Sequence, residues 1–243
     1  MGPLALMAKA AGFGVFGSDL HEGAVAAELV EAGILMEIEG KAEGFESAGK
    51  GQDGRFLRWC CEKYNIDWFV RTSALPEDAP ELVAARDLGL RVSKRDELIE
   101  YLVEKLGLKM VAVAGTHGKT TTTALITWAA KELGLPASYL VGSTLPFAEA
   151  GAYVEWSKFL IYEADEYDRN FLRFYPWLAV VTCVTYDHPD VYASVEEYRE
   201  AFSALPFVSR HKRRRRAERK LSRKDTRIRK KPNRAILTAI TNI

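Results

Sequence analysis

The sequence predicts an α/β protein with two domains built on parallel sheets, and three observations support this prediction. Short apolar runs typical of buried strands alternate with segments of helical spacing along most of the 243 residues. The hydrophobic fraction of 48% allows a substantial core in each of two domains of ordinary size. One apolar run, Val111 to Ala114, enters a glycine turn that leads directly into a helical pattern.

Local signals in the first domain mark where its helices begin and end. Pro80 suits the first turn of a helix, and Gly33 and Gly89 follow helical segments, where glycine commonly ends a helix. The glycine-rich, charged stretch 41–54 predicts a surface loop. The predicted helices are 4–11, 24–32, 56–64, 80–89 and 96–105, and the predicted strands are 14–17, 68–70 and 90–92.

The second domain is expected to begin after Gly107, because the strand that enters the glycine turn starts just beyond it. It repeats the alternation of strands and helices, as parallel α/β domains do. The predicted strands are 110–114, 139–141, 159–162 and 178–182, and the longest predicted helix is 120–133.

The glycine turn predicts a phosphate-binding loop. It reads Gly115-Thr116-His117-Gly118-Lys119-Thr120-Thr121, a shorter loop than the usual Walker pattern because Val113 stands where the first glycine is expected. Free N–H groups at a helix N-terminus and the helix dipole stabilise anionic oxygens, and the lysine adds a charge. Thr120 is placed to bind a phosphate-bound Mg²⁺. The alternative is a left-handed structural turn between a strand and a helix.

Two further polar clusters follow predicted strands of the second domain, where open α/β sheets place their ligands. Glu163-Ala-Asp-Glu-Tyr-Asp168 follows strand 159–162, and Glu163 offers the hard oxygen that Mg²⁺ prefers. Asp187-His188-Pro-Asp190 follows strand 178–182. The alternatives are a solvated acidic turn for the first cluster and a structural or exposed histidine for the second.

Cysteine content and hydropathy predict a cytoplasmic protein. Cys60, Cys61 and Cys183 are odd in number and show no metal-ligand spacing, which suits reduced thiols. No apolar run approaches the roughly 18 to 20 residues that span a bilayer. The opening Met1–Met7 lacks the basic flank and cleavage site of a secretory signal, so no membrane association is expected.

The net charge of +1 conceals a basic tail on an acidic body. Residues 210–234 contain 15 basic and 2 acidic residues, whereas the rest of the chain contains 19 basic and 31 acidic residues. A segment so charged and so poor in apolar residues predicts disordered or irregular structure. Three interpretations stay open: an arm that binds nucleic acid or another anionic surface, a solvated extension, or a change of reading frame near Pro206.

The three motifs together resemble the Mur ligases. The order GTHGKTTTT, EADEYD and YDHPD is typical of that family's central ATPase domain, and GFGVFGSDL and FVRTSALPEDAPELVAARDLGLRV resemble its N-terminal domain. The resemblance covers roughly residues 4–205. It implies a Rossmann-like UDP-sugar-binding domain in residues 1–107, incomplete at its start, and an incomplete P-loop-type ATP-binding domain in residues 108–207, followed by a tail in residues 208–243.

Within the family, the GTHGKT and EADE motifs are most similar to the ligases that join L-alanine to UDP-N-acetylmuramate in peptidoglycan precursor synthesis. The resemblance implies ATP and Mg²⁺ as cofactors. Lys119 would stabilise the β- and γ-phosphates, Thr120 and Glu163 would hold one Mg²⁺, and His188 would contribute to a second metal. Asp19, Ser73 and Ala74 match positions that line the nucleotide-sugar cleft.

Departures from the family pattern put the activity of this chain in question. The family has a strand and a glycine-rich loop before the helix at Leu4, usually has asparagine at the position of Cys183, and continues into a C-terminal domain. Two alternative functions stay open. The tyrosine of EADEYD also resembles the ligase that attaches a recycled tripeptide to the same UDP-sugar, and a non-catalytic nucleotide-binding protein could use the basic tail to bind nucleic acid.

Overall fold

A computed structural model describes residues 1–19, 21–46, 53–73, 75–148, 151–165, 171–189, 191–204 and 235–239. They form two compact units that divide between Leu102 and Val103, and the C-terminal strand joins the first unit. The division falls five residues before the expected boundary at Gly107. Most of the predicted basic tail lies outside the described residues.

The first unit is a seven-stranded sheet flanked by helices. Its strands lie in the order β4-β3-β2-β1-β12-β5-β6, and β2, β1, β12, β5 and β6 run parallel. Its elements are α1 (Gly2–Ala10), β1 (Gly14–Asp19), α2 (Ala24–Glu31), β2 (Leu35–Ile38), β3 (Lys41–Ala42), β4 (Phe45–Glu46), α3 (Arg55–Tyr64), β5 (Ile66–Arg71), α4 (Pro80–Asp87), β6 (Arg91–Lys94), α5 (Arg95–Lys105), which crosses the boundary, and β12 (Ala235–Ala239).

In the core of this unit the predicted helices pack against the sheet, which confirms the prediction. Phe56, Leu57 and Cys60 on one face of α3 pack with Phe69 of β5 and Leu82 of α4, and all five are almost fully buried. Their spacing on α3 is that of an amphipathic helix. The stretch 41–54, expected to be a loop, contains the short antiparallel strands β3 and β4. Two-residue strands are too short to produce a detectable alternation of apolar residues.

The C-terminal strand β12 lies at the centre of the first sheet, which differs from the expectation of an irregular tail. It pairs in parallel with β1, from Gly14 opposite Ala235 to Ser18 opposite Ala239, and with β5 on its other side. The short apolar run Ala235–Ala239 follows the charged segment and has the composition of a buried strand, and Ile236 is fully buried. The first unit is therefore made from two distant parts of the chain.

The second unit is a five-stranded sheet in the order β11-β7-β10-β8-β9, with β9 antiparallel at one edge. The predicted strands and the long helix are confirmed. Helix α7 was not predicted, although Ser194 caps it by accepting a hydrogen bond from the Glu197 N–H at 3.1 Å. The elements are β7 (Lys109–Ala114), α6 (Lys119–Glu132), β8 (Ala137–Leu140), β9 (Gly151–Ala152), β10 (Phe159–Glu163), β11 (Leu178–Val181) and α7 (Val195–Ser203).

A carboxyl group is buried near the carboxyl end of β1. Glu81 of α4 is 1% exposed, and the hydroxyl of Ser18 lies 2.8 and 2.9 Å from its two carboxylate oxygens. Burial raises the pKa of Glu81 to about 8; the Ser18 hydrogen bond opposes this shift, and the nearby carboxylates of Glu37 and Asp53 add to it. Glu81 is therefore protonated in the folded chain at neutral pH.

We expect the stability of the first unit to fall as pH rises between about 4.5 and about 8, because only the folded state keeps the Glu81 proton in this interval. The slope can reach about 1.4 kcal/mol per pH unit. Glu81→Gln keeps the shape without the titration, so it should flatten this dependence and raise the melting temperature at pH 8. Thermal unfolding between pH 5 and pH 9 measures both effects. Equal slopes in the two chains would contradict the assignment.

The central position of β12 gives a second prediction. Ile236→Asp places a charge in the middle of the first sheet and should cost roughly 3 kcal/mol or more. Hydrogen exchange should then show lost protection at the amides of β1 and β5, which pair with β12, while the amides of β7 and β10 in the second unit serve as internal controls. Unchanged protection in β1 and β5 would show that the sheet does not depend on this strand.

Candidate functional site

The glycine turn joins β7, an interior strand of the second sheet, to the longest helix of the unit. β7 ends at Ala114, residues 115–118 form the turn, and α6 begins at Lys119. Gly118 adopts a left-handed conformation, with φ +79°, at the N-cap of α6, and a glycine provides no side chain to cap the helix. The N–H groups of the first turn of a helix have no partner within the helix. Such N–H groups commonly bind anions, and here they lie just beyond the end of β7.

Gly115 allows the turn to approach the segment that follows β11. Its φ is +136°, and a Cβ at this position would lie 2.2 Å from the Thr182 hydroxyl oxygen and 2.8 Å from the Cys183 carbonyl oxygen. The close approach lets the Thr116 N–H donate to the Cys183 carbonyl at 3.1 Å. The His117 N–H donates to the Cys183 sulfur at 3.2 Å. These two hydrogen bonds hold the turn against the segment that follows β11.

The ammonium group of Lys119 lies over the turn that precedes it. It donates to the carbonyl oxygens of Gly115, at 2.7 Å, and Thr116, at 3.3 Å. Phosphate oxygens carry negative charge and accept stronger hydrogen bonds than neutral carbonyls. Lys119 is thus held at the turn by acceptors that an anion can replace.

A hydroxyl and a carboxylate meet beside the start of α6. Glu163 ends β10, the neighbour of β7, and is paired in register with Val113. The Thr120 hydroxyl donates to one Glu163 oxygen at 2.8 Å, and the N–H of Gly142 donates to the other at 2.7 Å. A Cβ at Gly142 would lie 2.9 Å from the Glu163 carboxylate, so glycine permits this contact. The structure brings Thr120 and Glu163 together, as the sequence led us to expect.

His188 lies on the segment that follows β11, the other neighbour of β7. It has a positive φ of 55°, its N–H donates to the Asp187 carboxylate at 2.7 Å, and its ring nitrogen is 4.0 Å from the same carboxylate. Because β11 runs parallel to β7, this segment leaves the same edge of the sheet as the glycine turn. The role of His188 at a second metal stays a prediction, and Asp190 lies outside the described residues.

The oxygen atoms beside the start of α6 suit an Mg²⁺ ion that phosphate and water also bind better than they suit a metal ion bound by protein side chains alone. The described residues contain no group of three or more His, Cys, Asp or Glu side chains that could share a metal ion. Mg²⁺ is commonly held by one or two carboxylates together with phosphate oxygens and water. Thr120 and Glu163 offer oxygen atoms of that kind beside the turn that precedes α6.

The sugar-site candidates of the first unit lie at the ends of the two strands that flank β12. Asp19 ends β1, is 1% exposed and accepts a hydrogen bond from the His21 N–H at 3.3 Å. Ser73 follows β5, and its buried hydroxyl has no hydrogen-bond partner among the described residues. Parallel strands that end at one edge of a sheet are a common position for ligands. Ala74 lies outside the described residues.

Sequence reasoning missed several residues that hold the site. Thr182 and Thr185 contact the turn from the segment after β11, Tyr198 contacts it from α7, and Gly142 fixes Glu163. Gly142 follows the apolar strand β8, a position that could have suggested a close approach of two segments. The other three are ordinary residue types without a motif, so the sequence contains no signal for them.

Comparison with known proteins gives two family matches that together cover most of the chain. The model described as "Mur ligase family, catalytic domain" matches residues 1–105, and the "Mur ligase middle domain" matches residues 113–217. UDP-N-acetylmuramate–L-alanine ligase of Chlorobium phaeobacteroides is 36% identical over 216 residues, which are 86% of this chain and 42% of that protein. The ligase of the same name from Roseiflexus castenholzii is 37% identical over 194 residues, covering 79% and 36%.

Two solved structures are similar to the chain. The UDP-N-acetylmuramate-alanine ligase of Thermotoga maritima has a TM-score of 0.70 at 25% identity and covers 84% of this chain and 44% of its own. The UDP-N-acetylmuramate:L-alanyl-gamma-D-glutamyl-meso-diaminopimelate ligase of Neisseria meningitides has a TM-score of 0.67 at 26% identity and covers 84% and 63%. The chain spans about two fifths of the curated relatives it matches. Among the helices in the described part of the chain, none has the length and hydropathy to cross a bilayer.

The close approach at Gly115 predicts a steric requirement for glycine. Gly115→Ala should destabilise the second unit by several kcal/mol, because the new methyl group overlaps Thr182 and Cys183. Gly134→Ala is the matched control: Gly134 also has a positive φ, +64°, but its added methyl would meet nothing within 4 Å. The control should lose only about 1 kcal/mol from backbone strain. Equal losses in chemical denaturation would contradict a steric role for Gly115.

Proposed function

The chain belongs to the Mur ligase family, and on this premise we propose that it is the substrate-binding and ATP-binding part of an ATP-dependent amide-forming ligase. The proposed reaction joins L-alanine to UDP-N-acetylmuramate in peptidoglycan precursor synthesis. The observation that carries the proposal is the pair Thr120 and Glu163, at 2.8 Å, next to Lys119 and the turn before α6. This combination provides an anion position and a hard-cation position side by side.

The proposed chemistry has two steps. The γ-phosphoryl group of ATP is transferred to the lactyl carboxylate of UDP-N-acetylmuramate, which gives ADP and an acyl phosphate. The amine of L-alanine then attacks the acyl carbon, phosphate leaves, and the amine proton is released as the amide forms. Phosphoryl transfer of this kind depends mainly on positioning and on electrostatic stabilisation of the transferred group.

The residues of the second unit suit the first step. The turn Gly115 to Gly118 and the first N–H groups of α6 would bind the phosphates, and Lys119 would exchange its carbonyl acceptors for phosphate oxygens. Thr120 and Glu163 would hold Mg²⁺, which when bound neutralises charge on the β- and γ-phosphates. His188 is proposed to contribute to a second metal near the transferred group. Asp19, Ser73 and Ala74 are proposed to bind the UDP-sugar in the first unit.

A second candidate is the ligase that attaches a tripeptide to the same UDP-sugar. The tyrosine at position 167 and the similarity to the Neisseria meningitides enzyme favour it. The third candidate, a non-catalytic nucleotide-binding protein that contacts nucleic acid, rests on the 15 basic residues between 210 and 234. The cytoplasm is the proposed location, in keeping with three cysteines that form no disulfide.

Lys119→Ala should abolish measurable Mg·ATP binding by the full chain and leave its melting temperature within a few degrees, because the ammonium group donates to carbonyl oxygens of the turn and not to the core. Lys131→Ala is the matched control, since Lys131 lies in the last turn of the same helix and its ammonium donates to the Phe147 carbonyl at 3.2 Å. Isothermal titration calorimetry measures both affinities. Nucleotide affinity that is unchanged in Lys119→Ala would contradict the proposed ATP site.

Substrate dependence separates the three candidates. Release of ADP and phosphate that requires both UDP-N-acetylmuramate and L-alanine supports the first candidate, and a requirement for the tripeptide in place of L-alanine supports the second. Mg·ATP binding without turnover identifies a nucleotide-binding chain that does not complete the reaction. Binding to RNA or DNA that weakens steeply with salt supports the third candidate.

A further inference from the structure

The hydroxyl group of Thr116, in the middle of the glycine turn, makes three hydrogen bonds. Its oxygen lies 2.7 Å from the Thr185 carbonyl oxygen, 3.0 Å from the Thr185 N–H nitrogen and 2.8 Å from the phenolic oxygen of Tyr198. Thr116 is 7% exposed and Tyr198 is fully buried, so water cannot easily replace the hydrogen bond between their hydroxyl groups.

The direction of each hydrogen bond follows from the chemistry of the partners. The Thr185 carbonyl can only accept, so the Thr116 hydroxyl donates its single proton there. The Thr185 N–H can only donate, and Thr116 accepts from it. One acceptor position remains on Thr116, and the Tyr198 hydroxyl donates to it. All the hydrogen-bonding capacity of the Thr116 hydroxyl is thereby used within the protein.

Tyr198 is held rigidly on α7. Its ring meets the ring of Tyr192 edge to face, with centroids 4.9 Å apart, and packs against Phe202 at 5.1 Å. A buried side chain in such an aromatic cluster occupies one rotamer, since neighbouring rings leave it no room to turn. The phenolic hydroxyl is therefore a fixed point to which the turn is attached.

The same segment after β11 fixes the turn at two further places. The Thr182 hydroxyl donates to the His117 carbonyl at 2.5 Å, and the Cys183 carbonyl accepts from the Thr116 N–H. The hydroxyl of Thr182 and the backbone groups of Cys183 and Thr185 thus hold residues 115–117 in place. The N–H groups that follow the turn, at the start of α6, are the ones proposed to bind the phosphates.

We propose that Thr116 and Tyr198 are positioning residues that hold the turn in its nucleotide-binding shape before the nucleotide arrives. This inference rests on the proposed function and adds to it the side-chain hydroxyls of two residues, which bond within the protein. A turn that is already ordered binds an anion without the entropy cost of being ordered on binding. The Thr116 hydroxyl and its three hydrogen bonds are here called the Thr116 junction. Loss of this junction should therefore weaken nucleotide binding without unfolding the second unit.

The test compares Mg·ATP affinity and melting temperature across five variants of the full chain. Thr116→Val keeps the shape and removes all three hydrogen bonds, so affinity should fall about 10-fold. Thr116→Ser keeps the hydroxyl and should bind within about twofold of the unmodified chain. Tyr198→Phe removes one bond and should weaken binding by about three- to fivefold. Thr127→Val is the matched control, because its buried hydroxyl bonds only within α6, to the Thr123 carbonyl at 2.8 Å.

The double variant Thr116→Val/Tyr198→Phe distinguishes positioning from general stability. Thr116→Val alone removes the acceptor of the buried Tyr198 hydroxyl and should lower the melting temperature. Adding Tyr198→Phe removes that polar group and should recover part of the loss. Affinity should stay about 10-fold reduced in the double variant, because the junction is still absent. Thus stability and affinity should respond differently to the second substitution.

Three results would overturn the positioning role: Thr116→Val binding within twofold of the unmodified chain, Thr127→Val weakening binding equally, or Thr116→Ser failing to retain affinity. Each of these requires that the unmodified chain binds Mg·ATP. Failure of the unmodified chain to bind Mg·ATP would overturn the proposed function together with this inference. Binding by the unmodified chain with unaffected variants would overturn this inference alone.

Discussion

The contact between the turn after β7 and the segment after β11 is the constraint on which the candidate site depends. Gly115 brings the two backbones so close that a single methyl group would overlap Thr182 and Cys183. Because β7 lies between β10 and β11, the same edge of the sheet also receives Glu163 on one side and the segment with His188 on the other. The site is thus a consequence of strand order: three neighbouring parallel strands deliver a turn, a carboxylate and a second polar loop to one place.

The first unit depends on a different long-range constraint. Its central strand β12 lies more than 200 residues beyond β1 in the sequence, yet pairs with it over five residues. Without a strand in that position, β1 and β5 would each present unpaired N–H and carbonyl groups along one side. Asp19, the last residue of β1, and Ser73, which follows β5, are the candidates for binding the UDP-sugar. Their spacing is therefore set by the width of the strand between them, about 4.8 Å to each neighbour.

Sequence reasoning could predict the features that arise locally and failed for those that arise from distant contacts. The turn from Gly115 to Thr120, the end of β10 at Glu163 and most helices follow from residue order and hydrophobic period. Strand β12 was missed because a five-residue apolar run after a charged segment gives no sign of its partners. Tyr198 was missed for a related reason: a tyrosine on a helix looks like an ordinary core residue until its hydroxyl is seen 2.8 Å from Thr116.

The hydrogen bonds around the turn also explain how a charged site can be stable before it binds a ligand. Lys119 is satisfied by two carbonyl oxygens and Thr120 by Glu163. None of these groups is left with the full cost of a buried, unpaired charge, which would destabilise the fold. In the proposed function, a nucleotide and its cation therefore compete with these protein partners, and binding would be driven by the difference between charged phosphate acceptors and neutral carbonyls. The Thr116 hydroxyl instead bonds to the hydroxyl of Tyr198, which is fully buried. Thr116 therefore fits a supporting role, whereas Lys119 and Thr120 suit direct contact with the ligand.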